Sequence, residues 1–436
     1  MTISSKCLFR VSVVAASVAA ASSAFSAGFA LNDHSASASG KALGGVAASN
    51  EDISSSFWNP ALFANAKETT IYVSGAYVMP SMDVKVTEAK DARGTDLSST
   101  SPTTSSDSVD KTIVPSFYFA KPISASTVAG ISLNAPFGLS GDYGDKWAGR
   151  FHATETSLKD IALSFSLAHR VNDWASVGAS VQAHKAEVVL ASAVGFLGRE
   201  GDGRIEADDT SYGFSLGAAF EPRKGTRLGL GYRSKIDFDF KGDVKYKDTA
   251  ALNLALKSLG SAQLIDTTVS DSITLPSVLS LSLEQELTPQ LVLGLSAIRT
   301  GWGALDGLDI NFESPSSQNN SVLTFGFEDQ WMYSAGLTYD YSDKLTLRTG
   351  VAMDNSPVTD QYRSARTPDG DRKWISLGAT YDFNEMTSGT FAFTHVMIDD
   401  VSVNRTGLAE DTARGKLKAN YESSANVISL AMNMAF

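Results

Sequence analysis

Thiols and metal-ligand patterns are almost absent from this sequence. Its single cysteine, Cys7, lies in an N-terminal segment that we expect to be removed, and it lacks the small-residue context that precedes a lipoprotein cysteine. The remaining chain can therefore form neither a disulfide nor a thiolate metal site. None of the five histidines has a neighbour at the spacing of metal ligands or of a catalytic triad. They are His34, His152, His169, His184 and His395. No glycine-rich phosphate loop is present either, so we predict no metal, no cofactor and no enzyme activity.

Basic residues are also in the minority, at 36 against 48 acidic residues, which gives a net charge of −12 at pH 7. The net charge becomes −14 once the two basic residues of the N-terminal segment, Lys6 and Arg10, are removed. An acidic chain repels phosphate groups, so we expect no nucleic-acid partner. Beyond residue 26 no apolar run reaches the ~20 residues of a membrane-spanning helix, so a membrane role would have to use β-strands.

The N-terminal segment has the pattern of a secretory signal peptide. Lys6 and Arg10 lead into the apolar run 11–25, and Ala24-Phe25-Ser26 supplies small residues at the spacing that a signal peptidase requires. The apolar run is shorter than a membrane anchor. We predict a signal peptide over residues 1–26, with cleavage before Ala27.

Residues 27–66 are rich in Gly, Ala, Ser and Asn and show neither helical nor strand periodicity, so they cannot build a core of their own. Their apolar anchors are Phe29 and Leu31 at the start and Phe57, Trp58, Leu62 and Phe63 at the end. Between the later anchors, Asn59-Pro60-Ala61 suits a turn or the first position of a short helix. A flexible linker has a similar composition. We favour a hatch that fills the lumen of a barrel.

After Lys67, apolar residues alternate with small or polar residues at a period of two, which is typical of β-strands with one apolar face. Leu163, Phe165 and Leu167 share one face of their segment, and Ser164 and Ser166 share the other. Several positions on the small or polar face would leave room for a hatch, namely Gly213, Ser215, Gly217, Gly229, Gly231, Ser280 and Ser282. This pattern suits a sheet with lipid on one side and a filled or wet lumen on the other.

The predicted connections alternate between short and long, as the turns and outer loops of an outer-membrane barrel do. Short turns are expected at 121–124, 171–174, 221–226, 286–289, 342–344 and 384–389. Long loops are expected at 81–111, 140–153, 192–208, 241–270, 302–328, 354–372 and 403–419. These connections join fourteen strands, an even number that allows closure. We predict an all-β fold, a 14-stranded antiparallel transmembrane β-barrel over 67–436 with the N-terminal hatch over 27–66 inside its lumen.

The final predicted strand, 427–436, keeps its alternation to the C terminus and stops on an aromatic residue, Phe436. Such an ending resembles the assembly signal of bacterial outer-membrane barrels. It implies recognition by the barrel-assembly machinery and a location in the bacterial outer membrane, among outer-membrane lipid and lipopolysaccharide.

Two local features break the strand pattern. Asn134-Ala135-Pro136-Phe137-Gly138 places a proline inside the third strand, where it cannot donate to the ladder, so we expect a bulge or a gap. Alternatively, the strand ends near Leu133. The carboxylates of the predicted loop 199–209, around Asp202, suggest a divalent-ion site, but their spacing does not match a calcium loop and favours a solvated acidic loop.

The sequence resembles the FadL/TodX family of outer-membrane transporters of long-chain fatty acids and other hydrophobic compounds. The resemblance covers nearly the whole mature chain and rests on five segments in order, which are 27–32, 59–61, 231–242, 347–357 and 368–374. It implies a hydrophobic capture groove among the outer loops, a binding pocket near the mature N terminus, and a kinked third strand that opens sideways into the membrane. Under this resemblance Phe29 and Leu31 belong to the pocket, Asn59, Pro60 and Ala61 hold the hatch, and Asn134, Ala135, Pro136, Phe137 and Gly138 form the kink.

The function that the resemblance implies is passive uptake of long-chain fatty acids by a monomer. One departure concerns the basic residues that meet a fatty-acid carboxylate in well-known members, since Ser192 and Leu323 stand at the positions we align with them. Aromatic hydrocarbons therefore remain an alternative ligand. A general diffusion porin and an adhesive surface protein are the alternatives from other functional classes.

Overall fold

A computed structural model describes residues 28–106, 108–314, 316 and 318–436. The predicted signal peptide over residues 1–26, Cys7 within it and Ala27 lie outside the described residues. Over these described ranges, no helix combines the length and the apolar character needed to cross a membrane.

Fourteen long strands pair in an antiparallel manner, each with the next in the chain, and the last pairs with the first over Thr70–Lys90. In chain order they are β1 (Thr70–Lys90), β2 (Thr112–Pro122), β3 (Thr127–Asp142), β4 (Glu155–Asn172), β5 (Ala175–Phe196), β6 (Arg199–Arg223), β7 (Thr226–Arg233), β8 (Val278–Thr288), β9 (Leu291–Thr300), β10 (Gln330–Ser342), β11 (Leu345–Asp354), β12 (Arg372–Asn384), β13 (Thr387–Ile398) and β14 (Lys416–Ala435). The sheet is therefore closed, which confirms the predicted 14-stranded barrel.

The residues that alternate along the strands divide between the outside and the inside of the barrel as predicted. Leu163, Phe165 and Leu167 have exposed fractions of 37%, 51% and 52%, whereas Ser164 is buried. The apolar face therefore points away from the lumen, as it must where the surrounding solvent is lipid.

The six short turns occur where predicted, but the long loop predicted at 192–208 is wrong. There β5 continues to Phe196, β6 begins at Arg199, and the two strands pair across the two-residue turn Leu197-Gly198. Both turn residues have positive φ, 52° and 76°, as a tight hairpin requires. Charged residues of this segment form ion pairs with other strands, as Arg204 does with Glu155 on β4, so the strand forms although one of its faces is charged.

The remaining long connections contain structure of their own. The β7 extension (Ile236–Lys247) continues β7 after a two-residue break and pairs with β6, and helix α2 (Ala250–Ser258) follows it. Shorter elements are the strands Thr104–Ser105, Thr267–Leu275 and Val401–Arg405 and the 3₁₀ turns Trp302–Ala304 and Ala409–Asp411. The loop hairpin, which we define as Gly307–Phe312 paired with Ser321–Thr324, adds its first strand to the edge of Thr267–Leu275.

Residues 28–66 fold into short helical turns with local caps. Helix α1 (Ala36–Ser39) precedes the 3₁₀ turns Val46–Ala48, Ile53–Phe57 and Pro60–Asn65. Ser35, Asp52 and Asn59 accept a backbone N–H at the start of their turns, which satisfies donors that a helix end leaves free. Pro60 occupies the first position of its turn, as predicted.

The same segment lies against the inward face of the strands. A Cβ added to Gly229 would overlap the carbonyl oxygen of Ala47, and one added to Gly231 would overlap that of Trp58. The Asn59 amide nitrogen donates to the carbonyl of Ala47 at 2.7 Å and to that of Ala218, on β6, at 2.9 Å. Small wall residues therefore allow backbone-to-backbone contact that any larger side chain would prevent.

Candidate functional site

The third strand contains the irregularity that its proline predicts. Pairing between β2 and β3 stops at Phe117–Leu133, and the pairing of β3 with β4 shifts in register between Asn134 and Phe137. The strand nevertheless continues to Asp142, so it does not end near Leu133. Beyond Leu133, β3 therefore has β4 on one side and no β2 partner on the other.

The first described residues of the N-terminal segment occupy this gap. The Leu31 N–H donates to the Pro136 carbonyl at 2.8 Å, and the Gly138 N–H donates to the Phe29 carbonyl at 2.9 Å. Ala30 and Phe137 face each other in an antiparallel bridge. The strand edge that the bulge opens thus finds its hydrogen-bond partners in residues 29–31, which removes the penalty of unpaired backbone groups.

Aromatic side chains surround this contact. The ring of Phe29 lies 4.6 Å from that of Trp302 and 6.4 Å from that of Phe137, both edge-to-face, and Trp302 contacts Phe327 at 5.8 Å. The preceding residue, Gly28, donates its N–H to the Asp369 carboxylate at 2.9 Å. The start of the segment is therefore tied to both the strand kink and the outer loops.

A cavity of about 110 Å³, which we call the groove, lies between strands β5 and β6, the β7 extension and the loop hairpin. Its apolar lining includes Leu190, Val194, Ile205, Val244, Tyr246, Leu308, Ile310 and Phe312. Ser192 and Leu323, the neutral residues at the positions expected to be basic, also line it. So do Arg366, from the loop between β11 and β12, and Arg414, two residues before the start of β14.

The groove is continuous with the aromatic contact at the kink. One buried apolar cluster contains Leu308, Ile310 and Leu323 of the groove together with Phe29 and Phe137. Burial and the neighbouring Arg414 charge lower the pKa of the Arg366 guanidinium to about 9. The site therefore combines apolar walls with a cationic end that lacks full compensation.

Other predicted site residues lie apart from the groove. Asn59, Pro60 and Ala61 pack against Gly178, Gly217 and Gly231 of the wall, where they anchor the segment. Leu31 and Ala135 share a small buried cluster with strands β1, β2 and β14. The Asn134 amide donates to the Tyr118 hydroxyl at 2.9 Å. Phe436 is 65% exposed at the end of the barrel.

A larger cavity, of about 460 Å³, opens among the outer loops beside Phe151, Phe196 and Leu197. It adjoins the hairpin that replaces the predicted acidic loop. Asp202 in that hairpin lies on β6 opposite Ala193 and Lys247. Among the residues that the structure describes, no cluster of three or more His, Cys, Asp or Glu could hold a metal ion.

Sequence analysis missed Arg366, Arg414 and Trp302. Each lies in or beside a long connection, where neither period-2 alternation nor a spacing motif marks a residue. The sequence marks the segment 368–374 only by its resemblance, although Asp369 in it accepts a hydrogen bond from the Gly28 N–H. The sequence around a single arginine in a polar loop does not show that the arginine lines a groove, because the other lining residues come from distant strands.

Comparison with known proteins assigns the family. The family model for the outer membrane protein transport protein (OMPP1/FadL/TodX) matches residues 17–436. The long-chain fatty acid transport protein of Escherichia coli O6:H1 is 30% identical over 412 residues, covering 88% of this chain and 90% of that protein.

Two solved structures share the fold. A crystal structure of a Pseudomonas aeruginosa FadL homologue has a TM-score of 0.86 at 24% identity and covers 94% of this chain and 100% of its own. The Pseudomonas putida toluene transporter TodX has a TM-score of 0.66 at 16% identity, covering 88% and 94%. This chain therefore belongs to the OMPP1/FadL/TodX family of outer-membrane transport proteins.

Proposed function

We propose that this protein takes up long-chain fatty acids passively across the outer membrane. The observation that carries the proposal is the single apolar cluster that joins the groove to Phe29 and to the kink at Phe137. A molecule that follows this cluster stays among apolar side chains from the outer loops to the barrel wall. The 30% identity to a long-chain fatty acid transport protein supports the choice of substrate.

The proposed route has three parts. The outer cavity beside Phe151, Phe196 and Leu197 captures the apolar molecule, and the groove then receives it. Withdrawal of residues 29–31 from β3 opens the kink sideways, so the molecule enters the bilayer without crossing the periplasm. Lateral release suits a substrate with poor water solubility, because apolar surface is costly to expose to water.

Uptake of labelled oleate by a strain that lacks the chromosomal gene, with and without a plasmid copy, tests the substrate. We expect the plasmid copy to restore uptake. Equal uptake with and without it would contradict the fatty-acid proposal, and uptake of labelled toluene in place of oleate would favour the aromatic-hydrocarbon alternative.

The kink can be tested by repairing the strand. Pro136→Thr with Gly138→Val restores a backbone donor and an alternating segment, so we expect folding to persist and uptake to fall sharply. A Cβ added at Gly138 would lie 3.2 Å from Leu31 Cδ1, so the change also presses on residues 29–31. Uptake is normalised to folded barrel that shows heat-modifiable migration on a gel. Wild-type uptake through a structurally closed β3 would point to a channel through the hatch.

We further propose residues 27–66 as the hatch and 67–436 as the barrel that they fill. Deleting 27–65 should raise permeability to small polar solutes while the barrel still assembles. Planar-bilayer recordings separate this proposal from a general diffusion porin. Large steady conductance of the intact protein would favour the porin, whereas a low conductance that rises in the deletion variant supports a hatch.

A further inference from the structure

The groove contains a positive charge that its own surroundings do not neutralise. Arg366 donates to the Glu155 carbonyl at 2.9 Å, to the Thr156 hydroxyl at 2.8 Å and to the Ala191 carbonyl at 3.1 Å. All three acceptors are uncharged. Among the described residues no carboxylate oxygen lies within 4.0 Å of this guanidinium. Arg366 is partly buried, and a cation withdrawn from water ordinarily requires a counter-charge, because water solvates it less well.

Arg414, the second guanidinium of the groove, is only partly compensated. It pairs with Asp411 at 3.1 Å and also donates to the Val322 carbonyl at 2.6 Å. Asp411 is shared with Arg405, which also pairs with Glu410. Three positive charges, on Arg366, Arg405 and Arg414, therefore face two negative charges, on Asp411 and Glu410. One net positive charge remains.

We propose that Arg366 and Arg414, which line the groove beside Ser192 and Leu323, bind the carboxylate of a long-chain monocarboxylic acid. The proposal rests on the transport function proposed above and deepens it by assigning the end of the groove that recognises the head group. Arginine suits this role because its planar fork matches the two carboxylate oxygens. A neutral hydrocarbon would leave the charge unpaired.

The orientation of the ligand follows from the rest of the groove. Its remaining walls are apolar, and at about 110 Å³ it is smaller than the roughly 300–1,000 Å³ of an ordinary ligand pocket. The acyl chain must therefore extend beyond the groove, along the cluster that continues through Leu308 and Ile310 to Phe29. A carboxylate at Arg366 and Arg414 thus directs the tail toward the residues that close the kink.

The test compares an acid with its uncharged analogue. Palmitoleic acid and palmitoleyl alcohol are titrated into the purified full chain in detergent, and equilibrium dialysis of the radiolabelled probes gives each Kd. Hydrogen bonds to charged groups contribute roughly 1.5–3 kcal/mol, so the wild type should prefer the acid by about tenfold or more. Arg366→Gln with Arg414→Gln should reduce that preference to about one, with the alcohol affinity changed by less than roughly threefold.

Lys245→Gln is the matched control. Lys245 is exposed between Val244 and Tyr246, which line the groove, so the variant removes a nearby positive charge without altering the lining. It should keep the wild-type preference for the acid. Equal loss of preference in this control would mean that general surface charge, and not the arginine pair, selects the acid.

A second variant covers the case in which the double substitution fails to fold. Ser192→Glu places a carboxylate on the groove wall and leaves the hydrogen bonds of both arginines intact. It should weaken acid binding at least tenfold relative to the similarly sized Ser192→Gln, and the two variants should bind the alcohol alike.

An acid preference that survives either Arg366→Gln with Arg414→Gln or Ser192→Glu would overturn the assignment, as would a wild type without preference. The transport function is tested separately, by measuring the uptake of both probes into cells. Uptake of acid and alcohol without any binding preference would refute only the head-group site. Uptake of neither probe would refute the proposed function itself.

Discussion

Two parts of the N-terminal segment contact the barrel in opposite ways. At the anchor contact, Lys41 Nζ lies 2.7 Å from both Glu51 Oε1 and Glu284 Oε1, and Arg348 pairs with Glu51 at 2.5 Å. The side chains of Lys41 and Glu284 are each 2% exposed. Wall glycines add backbone-to-backbone contact to this part of the segment, as Gly350 does with Lys41 and Gly231 does with Trp58.

At the kink contact, by comparison, residues 29–31 are held by two backbone hydrogen bonds and by aromatic edges. Apolar and neutral contacts of this kind separate without leaving a buried charge, whereas separation of the anchor would strand several. Under the proposed route, the contrast predicts that the segment opens from its first residues while its centre stays in place.

The largest effect should come from breaking the anchor charge pair. Lys41→Met leaves Glu284 and Glu51 buried with one cation fewer, so we expect a loss of roughly 3–5 kcal/mol in the free energy of unfolding. Urea titration of purified protein, followed by tryptophan fluorescence, measures it. Lys373→Met is the control, since the exposed Lys373–Asp399 pair should contribute no more than about 1 kcal/mol. Equal effects in the two variants would mean that the anchor does not hold the segment.

A smaller loss should follow from crowding the anchor. Gly231→Ala directs a methyl group at the Trp58 carbonyl, and overpacking of this kind costs roughly 1–3 kcal/mol. Gly75→Ala is the matched wall variant, because its Cβ would meet only Ile113 Cγ2 at an ordinary 3.6 Å. Bilayer conductance should rise in Gly231→Ala and stay low in Gly75→Ala. An unchanged conductance in both would argue that the segment tolerates displacement at its centre.

The smallest effect concerns the free energy of local opening. The amides of Leu31 and Gly138 bond only across the kink contact, whereas the amide of Ala47 bonds to Ser282 Oγ at 2.9 Å inside the anchor. We expect hydrogen exchange at Leu31 and Gly138 to be at least about tenfold faster, which corresponds to roughly 1.4 kcal/mol. Equal protection at all three amides would show that the two contacts open together.

Much of the barrel could be predicted because the lipid-facing pattern is local. Leu163, Phe165 and Leu167 indicate an outward face by their spacing alone, and the short turns between such segments count the strands. The hairpin at Leu197-Gly198 could not be found in this way, since Glu200, Arg204 and Glu206 place charges on the face where the other strands carry apolar residues. Its pairing depends on charges from other strands, such as Glu155.

The sequence by itself determined the number of strands, the face that each turns to lipid and the position of the missing hydrogen-bond donor at Pro136, because alternation and a missing N–H are properties of consecutive residues. Only the tertiary structure decided that residues 29–31 fill the resulting gap, and that Arg366 and Arg414 meet Ser192 and Leu323 in one groove. The fold brings these residues together from positions as far apart in the chain as Ser192 and Arg414. No local spacing records such a contact.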